Sequence, residues 1–138
     1  MIFLAVSCIM AEKERKDERM SKIPFAFAHV GVNANHKEEA LRFLNFCREV
    51  LGLDAEETPI SYMVADSKME LMNEGGRGRL GHIGFYTPDI QAAMAYLEEK
   101  GYAMDPSTAR YEADGKTLML IYLKEEMNGF AIHLTTRK

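Results

Sequence analysis

The sequence predicts an α+β fold: two tandem βαβββ modules whose strands form one curved mixed sheet, a cup, with the helices on its outer face. Three observations predict it. First, His29-Val30-Gly31-Val32 and His82-Ile83-Gly84-Phe85 are the same phrase written twice. Each is a short alternating strand that leads through a polar turn into an amphipathic helix. Second, the helical residues match at equal distances from the two histidines: Ala40 with Ala93, Phe43 with Tyr96, Leu44 with Leu97. Third, each unit closes on an echo, Met69-Glu70-Leu71 against Ile132-His133-Leu134, with one ionisable residue between two apolar ones. A unit of roughly 50 residues cannot bury a helix and a sheet well alone, so two such units should share one sheet.

The elements follow in order. Residues 25–34 read as a strand with Phe25, Phe27, His29, Gly31 and Asn33 on one face and Ala26, Ala28, Val30 and Val32 on the other. Residues 36–51 read as a helix with Ala40, Phe43, Leu44, Cys47, Val50 and Leu51 on one buried stripe. Asn35 is the expected N-cap, with Glu38 in the capping-box position, and Gly52 the stop. Short strands are expected near 53–57, 60–65 and 68–72. The linker Asn73-Glu74-Gly75-Gly76-Arg77-Gly78-Arg79 is too rich in glycine for a helix or a central strand. The second unit repeats the order: a strand over 80–87, a helix from Pro88-Asp89 to Lys100 that stops at Gly101, and strands near 108–112, 117–123 and 129–136.

Size and composition set bounds. The 138 residues suit one domain, with 47% apolar and 28% charged residues as in soluble globular proteins. A net charge of −4 gives no reason to expect nucleic acid. No run approaches the roughly 18 to 20 apolar residues of a membrane span. The two cysteines, Cys8 and Cys47, do not suggest a disulfide framework and suit a reducing cytoplasm. Residues 1–22 read as an extension without chemistry, disordered or loosely helical, with a non-native start and Met20 as the true initiator; it lacks the basic beginning of a signal peptide. The domain is expected over 23–138, in modules 24–73 and 79–137.

Strand parity points to a site. His29, Glu70, His82 and His133 each lie opposite an apolar pair: Val30 and Val32, Met69 and Leu71, Ile83 and Phe85, Ile132 and Leu134. If the apolar pairs pack on the helices, the four polar residues converge in the cup. Imidazole and carboxylate are the usual protein ligands of zinc, nickel, cobalt, manganese and iron(II). His29, Glu70, His82 and His133 are therefore the expected ligands of a divalent transition metal. His36, at a helix start, is expected on the surface.

The paired units carrying these four residues resemble the vicinal oxygen chelate superfamily, which includes glyoxalase I, methylmalonyl-CoA epimerase, extradiol dioxygenases and bleomycin-binding proteins. More narrowly, Gly81-His82-Ile83, Ala95-Tyr96-Leu97-Glu98-Glu99-Lys100-Gly101, Ile121-Tyr122-Leu123-Lys124-Glu125-Glu126 and Gly129-Phe130-Ala131-Ile132-His133-Leu134 are similar to the glyoxalase-like domain associated with 2-keto-3-deoxy-6-phosphogluconate/4-hydroxy-2-oxoglutarate aldolases. The resemblance implies that the first, fourth, fifth and eighth strands supply the ligands. It departs at 133, where glyoxalase I has a glutamate that acts as ligand and base. That shifts the expected proton-moving role to Glu70 or His133 and puts glyoxalase I activity in doubt.

The function expected is a metal-dependent glyoxalase-like lyase or isomerase. Its substrate would be a small 2-oxo or hydroxy carbonyl compound, chelated through neighbouring oxygens and altered by proton transfer. Long insertions to clasp glutathione or coenzyme A are lacking. Arg77 and Arg79 in the linker are candidate partners of a substrate carboxylate or phosphate, and Tyr86 and Tyr122 candidate lining residues. Alternatives are a non-catalytic module that sequesters a small molecule, such as an antibiotic, and an accessory protein to a sugar-acid aldolase. A homodimer in the cytoplasm, with no nucleic acid or membrane partner, completes the expectation.

Overall fold

The structure is a computed structural model that describes residues 2–20 and 23–138. The extension forms helix α1 (Ile2–Met20). Its expected boundary falls on Ser21 and Lys22, which lie outside the described residues. The first unit comprises β1 (Ala26–Val32), α2 (Lys37–Asn45), β2 (Ala55–Glu57), β3 (Ser61–Val64) and β4 (Met69–Met72). The second comprises β5 (Gly81–Tyr86), α3 (Ile90–Glu99), β6 (Met104–Tyr111), β7 (Leu118–Met127) and β8 (Phe130–Thr135). No helix among the described residues is long and apolar enough to cross a membrane.

All eight strands form one mixed sheet in the order β2-β3-β4-β1-β5-β8-β7-β6. The order is the same in both halves when read outward from the β1–β5 junction, as a duplicated unit requires. β1 pairs antiparallel with β5, and each pairs parallel with the last strand of its own unit, β4 and β8. Each helix covers its own half. Leu44 and Cys47 pack on Tyr62, Val64 and Leu71 in one core; Ile90 and Ala93 pack on Ile121, Ile132 and Leu134 in the other. Burying one such leucine fully contributes about 1.5–3 kcal/mol. The α+β class, the paired βαβββ units and the outer helices are therefore as expected.

Four local readings differ from expectation. The buried helical stripe is narrower than predicted, because α2 gives way at Phe46 to a π-helical turn, Phe46–Val50. There the Leu51 N–H donates to the Phe46 carbonyl, and the wider turn ends the 3.6-residue periodicity. Cys47 stays buried, while Phe43, Val50 and Leu51 are exposed. The N-cap is His36, not Asn35. Its Nδ1 accepts from the Glu39 N–H, and Glu39, not Glu38, reaches back to the Asn35 N–H at 2.7 Å. Strand β6 starts at Met104, although Pro106 lies inside it. It is an edge strand with an irregular register, where a missing N–H costs no ladder bond.

The fourth difference concerns parity. β1 carries a bulge: Phe27 pairs with Phe85 and His29 with Gly84, so Ala28 is the extra residue. Directly paired residues share a face. Phe27 thus lies with Phe85 on the helix side, and Phe25 reaches Tyr96 of α3 with ring centres 6.1 Å apart. The expectation that both phenylalanines share the face of His29 assumed an unbroken pleat. Beyond the bulge His29, Gly31 and Asn33 keep the predicted parity.

Candidate metal centre

Register places the polar residues in two neighbouring rows across the concave face. In one row Gly31 of β1 lies between Glu70 of β4 and His82 of β5. In the next Gly84 of β5 lies between His29 of β1 and His133 of β8, and Tyr122 of β7 follows His133. Each glycine gives the space that the neighbouring side chains lean into. A Cβ at Gly84 would stand 2.6 Å from His133 Nε2 and 2.9 Å from His29 Cε1. A Cβ at Gly31 would collide with the imidazole of His82. The repeated His-x-Gly phrase is thus reciprocal: the glycine of each unit makes room for the histidine of the other.

The side chains converge closely. His82 Nε2 is 3.0 Å from His29 Nε2 and 3.0 Å from Glu70 Oε2, and His29 Nε2 is 3.8 Å from Glu70 Oε2. One ligand nitrogen from each of His29, His82 and His133 lies within 4.8 Å of the others. Two ligands each about 2.1 Å from a common ion stand roughly 3 Å apart when the angle between them is near a right angle. The donor set therefore suits a divalent transition ion. His82 Nε2 faces both another ring nitrogen and a carboxylate, as a shared ligand position would have it.

Electrostatics keep the rings of His29 and His133 ready to donate lone pairs. Burial, then the neighbouring His29 and His82, pushes His133 down to about 3, so it is neutral at physiological pH. Burial and His82 also lower His29, against the pull of Glu70. Glu70 is held below the usual carboxylate range, chiefly by its hydrogen bond to His82 and also by one from Ser61. The Ser61 hydroxyl donates to Glu70 Oε1 at 2.7 Å and lies 2.7 Å from the Thr58 hydroxyl. One carboxylate oxygen is thereby tethered and the other, Oε2, is left facing the histidines.

The cluster floors an open cavity of about 1050 Å³. Tyr122 forms one wall, its ring centre 4.9 Å from that of His133, and burial raises its phenol so that it stays protonated. Arg77 lies over the other face of this region, with Cζ 4.8 Å from the Tyr122 ring centre. Of the residues expected to meet substrate, Arg77 and Tyr122 line the cavity; Arg79 and Tyr86 do not. Gly78 explains the first split. Its φ of +83° turns the chain between the two arginines, and Arg79 ends against Gly129. Tyr86 shares the face of His82 but sits at the far end of β5, opposite Ala26 and under Lys138.

Sequence reasoning missed Ser61, Arg110, Lys37 and Asn73. The last three line the cavity. The Asn73 side-chain oxygen is buried and has no hydrogen-bond partner. Ser61 had a signal: it lies opposite Met72 of β4, one step of the same face from Glu70. Arg110 had none: it falls inside the strand expected over 108–112, but its face is set by the irregular register of β6 on β7.

No protein-family model matches the sequence, and no curated protein does. Solved structures match by shape. A hypothetical protein from Bacillus halodurans C-125 superposes with a TM-score of 0.56 at 18% identity, covering 83% of this chain and 95% of its own. A methylmalonyl-CoA epimerase in complex with methylmalonyl-CoA and NH4+ gives 0.56 at 18% identity, covering 80% and 93%. The methylmalonyl-CoA epimerase of Mycobacterium tuberculosis gives 0.55 at 17% identity, covering 81% and 87%. At this identity the likeness concerns the fold, and the fold of this chain is the glyoxalase-like one of these structures.

Proposed function

We propose that this protein is a metal-dependent isomerase or lyase acting on a small 2-oxo or hydroxy carbonyl compound. One observation carries the reading: three imidazoles converge over two glycines at which any side chain would strike the rings, with the Glu70 carboxylate 3.0 Å from His82. His29, His82, His133 and Glu70 would hold a divalent transition ion, which would polarise a carbonyl oxygen and stabilise charge developing on it. The chain's own residues do the rest. Glu70 would leave the ion when substrate binds, freeing Oε2 to take a proton from the carbon beside the carbonyl and return it, while His133 remains a ligand. Tyr122 shields that side of the cluster and presents a phenol that remains a donor. Several structures of the same fold are named methylmalonyl-CoA epimerase, which supports proton transfer as the reaction type. A homodimer and association with a sugar-acid aldolase rest on the sequence resemblance alone; sedimentation and co-purification test them.

The test is metal content of untagged protein purified without chelator, with His82→Ala and His133→Ala alongside, followed by solvent deuterium exchange into 2-oxo acids. Near one equivalent of transition metal, lost in both variants, together with exchange in the wild type, is the expected result. A wild type that takes up no zinc, nickel, cobalt, manganese or iron(II) overturns the reading.

A further inference from the structure

The cavity has a cationic end that the metal cluster does not use. Arg77, Arg110 and Lys37 all line it, and none of the three forms an ion pair with a carboxylate among the described residues. Asp105 is engaged by the Ser107 N–H and hydroxyl, though Arg77 is near enough to help lower it, and the exposed Glu74 lines the same cavity against three cations. Arg110 comes from β6 opposite Leu120, on the same face as Tyr122 two residues further along β7.

Arg77 is held in place. Asn33 comes just after β1, in line with His29 and Gly31, and its amide grips the linker on both sides of Arg77. Asn33 Nδ2 donates to the Gly78 carbonyl at 2.9 Å, and Asn33 Oδ1 accepts from the Gly76 N–H at 2.9 Å. The guanidinium then stacks on Tyr122, whose other neighbour is His133. Arginine and histidine both neighbour this ring, so the guanidinium lies within roughly 10 Å of the His133 ring. One small molecule can span that distance. A planar guanidinium fixed by stacking keeps its N–H groups free for a carboxylate or phosphate.

From this we infer that Arg77 and Arg110 form an anion subsite beside the metal cluster, positioned by Asn33, and that the substrate bears a carboxylate or phosphate in addition to its carbonyl oxygens. The inference rests on the proposed function only for the word substrate; the anion subsite itself needs no metal.

Metal-free, full-length protein would be titrated with inorganic phosphate and with malonate at constant ionic strength, following the arginine Nε–H resonances by NMR. Saturable binding is expected. It should weaken about tenfold in Arg77→Gln and in Arg110→Gln, stay unchanged in Arg79→Gln, and fall partway in Arg77→Lys, which keeps charge without the planar fork. Asn33→Ala should weaken it while both arginines remain, which a purely electrostatic patch would not do. Thermal melts of each variant establish that it folds. Which of the two anions binds more tightly names the group on the substrate. No saturable response in folded wild type, or equal losses in Arg79→Gln and Arg77→Gln, overturns the subsite. Metal uptake measured on a reconstituted aliquot of each preparation separates the readings: metal uptake without anion binding sinks this inference alone, and anion binding without metal uptake sinks the proposed function alone.

Discussion

Adding one methyl group at Gly84 should disable the proposed metal centre while leaving every proposed ligand in the sequence. A Cβ there would lie 2.6 Å from His133 Nε2, 2.7 Å from His133 Cε1 and 2.9 Å from His29 Cε1. Comfortable contact is about 3.5–4.0 Å, so the rings must retreat by about 1 Å. His29 is half-buried and can swing. His133 is only 1% exposed and backed by Tyr122, so it cannot follow freely. Ligand positions are set to within about 0.2 Å, so the expected loss in metal affinity is at least about 100-fold, or about 2.8 kcal/mol. Overpacking costs about 1–3 kcal/mol. Reduced freedom of the unfolded chain returns about 0.4–1 kcal/mol, so the metal-free variant should lose about 1–2 kcal/mol. Chelator-competition titrations and thermal melts with and without zinc or nickel read both terms. At a free metal concentration 1,000 times the wild-type Kd, the wild type gains about 4.1 kcal/mol and a 100-fold weaker variant about 1.4 kcal/mol. Gly75→Ala is the control, since nothing lies within 4 Å of the added Cβ. A Gly84→Ala protein that binds metal within threefold of wild type would refute the packing argument.

Three further outcomes follow from the same geometry. Ser61→Ala removes the donor that tethers Glu70 Oε1; metal affinity should fall about 10- to 100-fold, and metal-free stability by about 1–3 kcal/mol, measured by titration and urea melts. The metal-free protein should lose stability on acidification. His133 drops from 6.5 to about 3 on folding, so the unfolded chain binds the extra proton in that window; stability is complete above pH 6.5 and is lost as pH falls towards 3. The loss is on the order of 4–5 kcal/mol, and the lowered Glu70 adds to it with the same sign at lower pH. Urea midpoints that are flat between pH 7 and 4 would contradict this. Leu71→Ala, at a site 2% exposed in the core of the first unit, should cost about 2–5 kcal/mol in urea denaturation.

What was legible in the sequence was whatever depends on short-range period and on repetition. The alternation of β4, β5 and β8 placed Glu70, His82 and His133 correctly, because none of these strands is bulged where the site lies. His133, Tyr122 and Arg77 were all singled out, but the turn at Gly78 that parts Arg77 from Arg79 was not. Phe25 and Phe27 were misplaced because one extra residue at Ala28 inverts every parity before it, and no local pattern announces a bulge. The stripe of α2 failed at Phe46 for a similar reason, a change of helical pitch.

The deeper limit is that a repeat discloses equivalence but not contact. His29 and His82 read as equivalent residues; that the glycine two places after each one serves the other's imidazole is a cross-strand fact, created only when β1 and β5 lie antiparallel at the centre of the sheet. It also explains why the phrase includes a glycine at all. A half-buried strand ordinarily loses stability through glycine, and here that loss is offset by admitting a second ring into the same volume. A single module would have no use for it, so the duplicated His-x-Gly makes physical sense only in the paired sheet. Exchange of the two residues in one unit, Gly31→His with His29→Gly, would keep composition and strand propensity but aim an imidazole into the ring of His82. The expected result is a folded or weakly folded protein with no metal uptake, and recovery of full uptake in that variant would show that the glycines are incidental.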